Sequence, residues 1–496
     1  MKTRLGIAAT VAAALLAGGL AGCGVHVPFA QSSAAEQPAA AGNEQAAPSD
    51  SAGALLKSAD EAAARGDNAA AIDLSRRALA LRLNTAQAAM AHHSLCAALG
   101  ASRRPDEAIA ECDEALRLKP DLAEAYFDRA NAYGQKSRGD EAVADYTVAV
   151  RLRPDYADAF LNRGLSLLQG RKYAEAVADL GECLRLRPDD ARALAARSQA
   201  YEMTGRYDAA IADIEKILRA NPRNAEGYRR RGALRRLKGS YDGAIADFTQ
   251  ALRLQPDDAE SLYDRANIRL EKQDYDAAIA DYSRALELRP NLVAALTGRA
   301  AAYRHGRRYD LALADVSEAL RLSPGLAEAL ELRGEILMDA GRLDQAIAAY
   351  AEALRADPDF AEAYVSRGRA YTSKRRPDLA IADFNQALRL QPDLVDAYVG
   401  RAMAFDDRGM HTESAADFKQ ALRLAPDDAG IYYTRGVSHL RHGRFPQAIT
   451  DLEQALRIKP DFELARKALR FAYRRRRPLG DPSQSISALP ASCPCA

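Results

Sequence analysis

Tryptophan is missing from the 496 residues, all aromatics together amount to 6%, and there are seven histidines and six cysteines. Charge bias is missing too: 69 Lys and Arg stand against 68 Asp and Glu, a formal net charge of +1. A balance so even gives no global reason to expect a nucleic-acid partner. No glycine-rich phosphate loop, no HExxH and no GxSxG is present, so those nucleotide-binding, metalloprotease and hydrolase signatures are excluded. The histidines are scattered. His92 and His93 are adjacent and share no helix face; His439 and His442 are three apart, but His439 takes a core position, which favours a core or surface role over a metal site. No cofactor, metal or enzymatic activity is therefore expected.

What is present reads as soluble and helical. Charged residues are 28% and hydrophobic residues 48%, and alanine is abundant beside Arg, Leu, Asp and Glu, a helix-forming mixture. Two segments stand apart. Lys2 and Arg4 precede "LGIAATVAAALLAGGLAG", Leu5 to Gly22, a charge-free run with the pattern of a signal peptide; a retained membrane helix is the competing reading. From Gly24 to about Ser51 the chain is Ala, Pro, Gln, Ser and Gly without an apolar period, the composition of a disordered tether. "LAGC", Leu20 to Cys23, resembles the lipobox of bacterial lipoproteins. The resemblance implies cleavage before Cys23, acylation of its thiol and new amino group, and retention on a membrane, where several acyl chains together make a stable anchor. In enterobacterial lipoproteins an Asp after the acceptor favours the inner membrane, so Gly24 is compatible with the outer one.

Beyond the tether a 34-residue period takes over. Pro recurs at 120, 154, 188, 222, 256, 290, 324, 358, 392, 426 and 460 without an insertion, and "PDLAEAYFDRANAY" at Pro120 is nearly rewritten as "PDFAEAYVSRGRAY" at Pro358. Each unit holds two apolar stripes of helical spacing, such as Tyr126, Ala130 and Tyr133, then Ala142, Val143, Tyr146, Ala149 and Val150. Two amphipathic helices joined by a short turn cannot bury their faces alone, and stacking the units does it. Proline ends the second helix, and the Asp after it (Asp121, Asp155, Asp257, Asp359) is expected to cap the next, with Glu124 or Glu362 completing a capping box.

These residues resemble the tetratricopeptide repeat (TPR) family. The unit from 361 to 394 reads Tyr364 at position 4, Gly368 at 8, Tyr371 at 11, Ala380 at 20, Phe384 at 24, Ala387 at 27 and Pro392 at 32. Eleven such units run from Ala89 to Phe462, behind a degenerate one with Gly66, Ala71 and Ala78 in place, so that 52–462 holds about twelve repeats. The resemblance implies an all-α TPR solenoid, a right-handed superhelix of helix–turn–helix repeats whose first helices line a concave face. "DFELARKALRFAYRRRR" after Pro460 reads as a terminal capping helix over 463–477, and 478–496 as an unstructured tail. The chain departs from the family at position 4, where Tyr, Phe, Leu and His92 replace Trp. It departs also at position 11 (Arg235, Arg269, His439) and at position 27 (Ile217), units expected to pack less regularly.

Two features of the repeats raise alternatives. Arg stands at position 7 in ten units, from Arg129 to Arg435, and Asp at position 23 in nine, from Asp145 to Asp451. They are either a row of exposed binding charges or, as favoured here, a ladder of pairs between helices. Cys96 and Cys112, at positions 8 and 24 of one unit, face each other and are either a disulfide or two buried thiols; Cys183 reads as an inert buried thiol. The concave-face positions 5, 9 and 12 vary strongly, as a partner-selecting surface would. They are Phe127, Asn131, Leu161, Leu165 and Leu168, then Arg229 and Arg236, then Tyr263 and Asn267, then Val365, Arg369, Val399, Met403, Tyr433, Val437 and Leu440. The expected role is a membrane-anchored scaffold that binds an extended peptide or helix of another protein in a bacterial envelope. Recognition of an envelope polysaccharide in the same groove is the alternative. Lys at 5 with Asn at 9 in one unit, the family's chaperone-tail clamp, is not found.

Overall fold

A computed structural model describes residues 51–476. The leader, Cys23, the tether up to residue 50, and 477–496 with Cys493 and Cys495 lie outside the described residues. Among those described there are 25 helices and no strand, and no helix is long and apolar enough to cross a membrane. The chain divides into two compact units, one ending at Pro256 and the other beginning at Asp257. Each is an all-α solenoid of helical hairpins. The first runs from the helix Ala52–Ala64 to the helix Tyr241–Leu254, the second from Ala259–Glu271 to Glu463–Arg476. From Ala123 to Ile458, first helices have 13 residues and second helices 14. In both units neighbouring first helices lie against one another while neighbouring second helices are held apart, so the first helices line the inner side of each curve.

The turn inside each hairpin is set at position 15, which lies in the left-handed region throughout the strict repeats: Gly409 has φ 76° and Arg375 has φ 54°. There the chain reverses with bonds of the kind Arg376 N–H to Tyr371 C=O, 2.9 Å, which satisfy carbonyls at the helix end. The turn between repeats differs from expectation. The capping residue is position 34, two after the proline, and the boxes Asp121–Glu124 and Asp359–Glu362 do not form. The residue after proline is spent inside the turn, because the N–H of position 34 folds back onto the carbonyl of position 31, as Leu122 does onto Lys119 at 3.3 Å. A side chain caps only where position 34 is polar: Asp190, Asn224, Asp258 and Asp428 accept from the following backbone N–H groups. Elsewhere position 34 is apolar and packs, as with buried Leu122.

The core is built from small first-helix residues against large second-helix ones. Position 24 supplies Tyr146, Tyr282, Tyr350, Phe248, Phe384 and Phe418, all fully buried or nearly so. Phe384 lies between Gly368 of its own repeat and Gly400 of the next, where added β-carbons would fall 2.9 Å and 2.4 Å from the ring. In the first strict repeat the same columns hold Cys96 and Cys112, which the structure joins as a disulfide with Cα atoms 5.4 Å apart. Cys183 is buried, and burial pushes its thiol up to about 12. The helix Glu463–Arg476 turns Ala465 and Ala472 inward and leaves Arg466, Lys467 and Arg470 in solvent, closing the second unit.

The charge ladder proves to be structural. Nine arginines at position 7 fork onto the position-23 Asp of their own repeat, Nε and Nη2 each meeting one carboxylate oxygen at 2.6–3.0 Å. These aspartates are only 3–7% exposed as residues, so the pairs are largely desolvated and not of the exposed kind that contributes little. In five repeats the remaining nitrogen reaches back to position 25 of the preceding repeat: Arg129 to Asp113, Arg163 to Thr147, Arg231 to Glu215, Arg299 to Ser283 and Arg401 to Asn385. Arg367→Ala would strand the Asp383 carboxylate in the core and is expected to cost about 2–4 kcal/mol. Replacing both partners (Arg367→Met with Asp383→Leu) is expected to cost clearly less. Hydrogen exchange of the helices Ala361–Ser373 and Pro377–Leu390 reads the local effect. Equal protection loss in the two variants would show that the buried charge is not what matters.

Candidate functional site

The inner face was expected to present positions 5, 9 and 12. The structure divides that set. Phe127, Leu161, Val365 and Tyr433, all at position 5, are buried, and so is Leu440. Phe127 packs between Tyr146 and Tyr156 with ring centroids 5.8 and 4.8 Å away, and Tyr433 lies against Phe462 at 5.0 Å. Their side chains fill the space between neighbouring hairpins and are not open to a partner. Asn131 and Asn267 are occupied as well: each amide oxygen accepts from a buried hydroxyl, of Tyr146 and of Tyr282, at 2.6 Å. The surface left half-open is Leu165 and Leu168 with Arg229 and Arg236 in the first unit, and Tyr263, Arg369, Val399, Met403 and Val437 in the second. Arg369 pairs with Asp396 at 3.1 Å.

The first unit concentrates its positive charge in "YRRRGALRRLK", Tyr228 to Lys238, though much of it is committed. Arg231 and Arg235 both reach Asp247, the second at 2.8 Å, Arg229 pairs with Glu226 at 2.7 Å, and Lys238 pairs with Asp208. The half-buried Arg236 keeps an Nε with no hydrogen-bond partner. Nearby, burial raises the Glu202 carboxyl above its ordinary range, against the pull of Arg230.

The departures at position 11 share one role. Arg235, Arg269 and His439 each turn toward the position-23 Asp of their repeat, at 2.8, 2.7 and 3.7 Å. In the first strict repeat, which has Leu95 at position 7, His92 takes over and meets Glu111 at 2.6 Å.

In the second unit the sequence reading missed a polar cluster. The repeat 327–360 has Ala349 in place of the position-23 Asp, and Arg333 turns to Glu352 instead. Its buried acid is Glu331, at position 5, 3% exposed and accepting from the Ser366 hydroxyl at 2.8 Å. Beside it Arg304 of the preceding repeat holds Asp339 at 2.6 Å, and Glu335. The signal was available: this is the repeat that loses the ladder Asp and gains Glu at positions 5 and 9.

Burial, then the neighbouring negative charge of Glu335, pushes the Glu331 carboxyl up to about 8, with the Ser366 bond and Arg304 opposing. The native chain thus keeps a proton that the unfolded chain, with a pKa near 4.3, has released. Stability contributed here is greatest below about pH 4.3 and falls, at up to about 1.4 kcal/mol per pH unit, as pH rises toward 8. Glu331→Gln keeps an acceptor for Ser366 and should flatten that decline. Denaturation midpoints at about pH 5 and about pH 8 check it; the same decline in variant and wild type would assign it elsewhere.

With this geometry in hand, comparison with known proteins places the chain. The tetratricopeptide repeat profile matches residues 96–157, 127–191, 161–225, 204–259, 230–293, 263–327, 331–395 and 399–461. The chain belongs to the tetratricopeptide repeat family. Among solved structures it is similar to yeast Tom70, at 19% identity, over 86% of this chain and 95% of that one, with a TM-score of 0.43. It is similar to a chain of the APC/C hetero-tetramer Cut9–Hcn1 at 16% identity, over 84% and 96%, with a TM-score of 0.41. A thermophilic TPR protein of Thermus thermophilus matches at 26% identity over 36% of this chain and 98% of its own, with a TM-score of 0.33. Among curated proteins no match is found.

Proposed function

We propose that this TPR chain is a non-enzymatic scaffold of a bacterial cell envelope, lipid-anchored through Cys23, which binds other proteins along its first-helix faces. One observation carries the binding part: the small positions 8, 20 and 27 and the Arg–Asp pair at 7 and 23 stay nearly uniform, while the half-open positions of the first helices change from repeat to repeat. A surface kept variable over a uniform core suits selection among partners. The Cys96–Cys112 bridge supports an exported protein, since such bonds persist in oxidising compartments. The "LAGC" stretch and Gly24 support anchoring, on the outer membrane and facing the periplasm. Stacking of a polysaccharide is less favoured, because first-helix aromatics are already engaged: Tyr126, Tyr228, Tyr364, Tyr398 and Tyr432 each lie under the position-7 Arg at 5.5–5.7 Å.

Two measurements test the halves separately. Cys23→Ser should leave unprocessed precursor and no incorporation of labelled palmitate; a variant that still matures and labels would remove the anchor. Reversal of Arg229 and Arg236 to Glu should lower capture of an acidic partner crosslinked in solubilised envelope, at unchanged helicity by circular dichroism. Capture at the wild-type level would move the binding surface away from that repeat.

A further inference from the structure

Three departures from the repeat pattern meet at one point in the second unit. Position 12 is Asp406, where other repeats have Gly, Leu, Glu, Arg, Met or Thr; position 17 is His411, usually an aromatic or proline; position 14 of the following repeat is His442, often Lys. The solenoid brings position 14 onto this part of the preceding repeat elsewhere too: a position-14 cation meets the position-18 Asp, next to position 17, in Lys136–Asp106, Lys238–Asp208 and Lys374–Asp344. At Asp406, His411 and His442 the same geometry assembles a carboxylate and two imidazoles, whose ligand atoms all lie within 4.8 Å of one another. The two rings sit edge to face with centroids 4.4 Å apart.

The surroundings orient each group. Asp406 is 8% exposed, and one of its oxygens accepts from the Ser438 hydroxyl, while the other lies 3.1 Å from His411 Nδ1. The His442 Nδ1–H donates to the Ser438 carbonyl at 2.8 Å, which fixes the tautomer and leaves the Nε2 lone pair free. A backbone carbonyl behind one imidazole and a hydroxyl behind the carboxylate are the supports that metal ligands commonly have. Arg441, the nearby cation, sits on Asp407 at 3.7 Å rather than on Asp406.

We propose that Asp406, His411 and His442 bind one divalent transition-metal ion of the zinc class. Two nitrogens and one oxygen suit such an ion at about 2.0–2.2 Å and leave a fourth position for water. Drawing the three atoms onto a common centre asks for a contraction of roughly 1 Å, within reach of rotation about the histidine side-chain bonds. The ion would join the repeat 395–428 to the repeat 429–462, so binding would raise the stability of that junction by mass action.

The test uses the full chain without an affinity tag. Titration with zinc chloride by calorimetry should show one ion bound, and cobalt(II) should give visible d–d bands without the near-ultraviolet charge transfer of a thiolate ligand. His411→Ala and His442→Ala should each weaken zinc binding by at least about ten-fold, while His439→Ala leaves it unchanged. Both ligand substitutions lie at helix ends, and far-ultraviolet circular dichroism verifies folding; if one variant fails that check, the other alone decides. Absence of binding, a thiolate band, or unchanged affinity in the folded ligand variants would overturn the assignment.

Discussion

The structure depends on the arginine of position 7. Its guanidinium forks onto a buried carboxylate 16 residues on, as Arg163 does onto Asp179 at 2.6 Å through both nitrogens. In many repeats it also lies across the aromatic of position 4, and in some it reaches the preceding second helix. Three helices are thus pinned by one planar cation, a task that lysine's single ammonium point cannot perform. The aspartate bond holds Arg367 more firmly protonated than a free guanidinium, so the fork persists at any ordinary pH. The geometry also explains the strict period. An insertion in either helix would rotate everything beyond it by about 100° and swing one partner out of reach of the other.

That constraint decides what is left for binding. Positions 7, 8, 20, 23, 24 and 27 are consumed by pinning and packing, and position 5 goes the same way wherever it is large and apolar. Leu161 and Val365 show this: they fill the seam between hairpins instead of facing outward. Specificity is pushed onto fewer residues than a column count suggests, and onto polar ones that find neighbours across repeats. The contact of Arg304 with Asp339 spans 35 residues, about one period, so a cluster of this kind needs two neighbouring repeats to depart from the pattern together.

The period, the hairpin, the register and the facing of Cys96 and Cys112 were legible in the sequence because each rests on spacing, and spacing survives translation into helices. The ladder was legible as a pair of columns but not in its weight, since only the folded packing shows that Asp383 is buried. Capping was misplaced at Asp121 because a proline followed by an aspartate reads like a cap, while the backbone spends that aspartate inside a turn. The role of Arg235 and Arg269 was hidden for another reason. Read as losses of an aromatic they look like defects, and only their distance to Asp247 and Asp281 shows a second cation on the same carboxylate.

A repeat protein supplies its own reference at every column, which makes departures informative when they coincide in space. A single odd residue, such as Ile217, packs half-buried against the cores on either side of it. Asp406, His411 and His442 are different, because they are odd in three columns at once and chemically matched to each other. The linear view pairs His442 with His439, three residues away, and so finds a core histidine and a surface one. The solenoid pairs it with His411, 31 residues back, because position 14 of one repeat lies over positions 17 and 18 of the one before. The relevant neighbour of a side chain here can lie nearly one period away, as in Arg304–Asp339, and a search confined to helix spacing is blind to it.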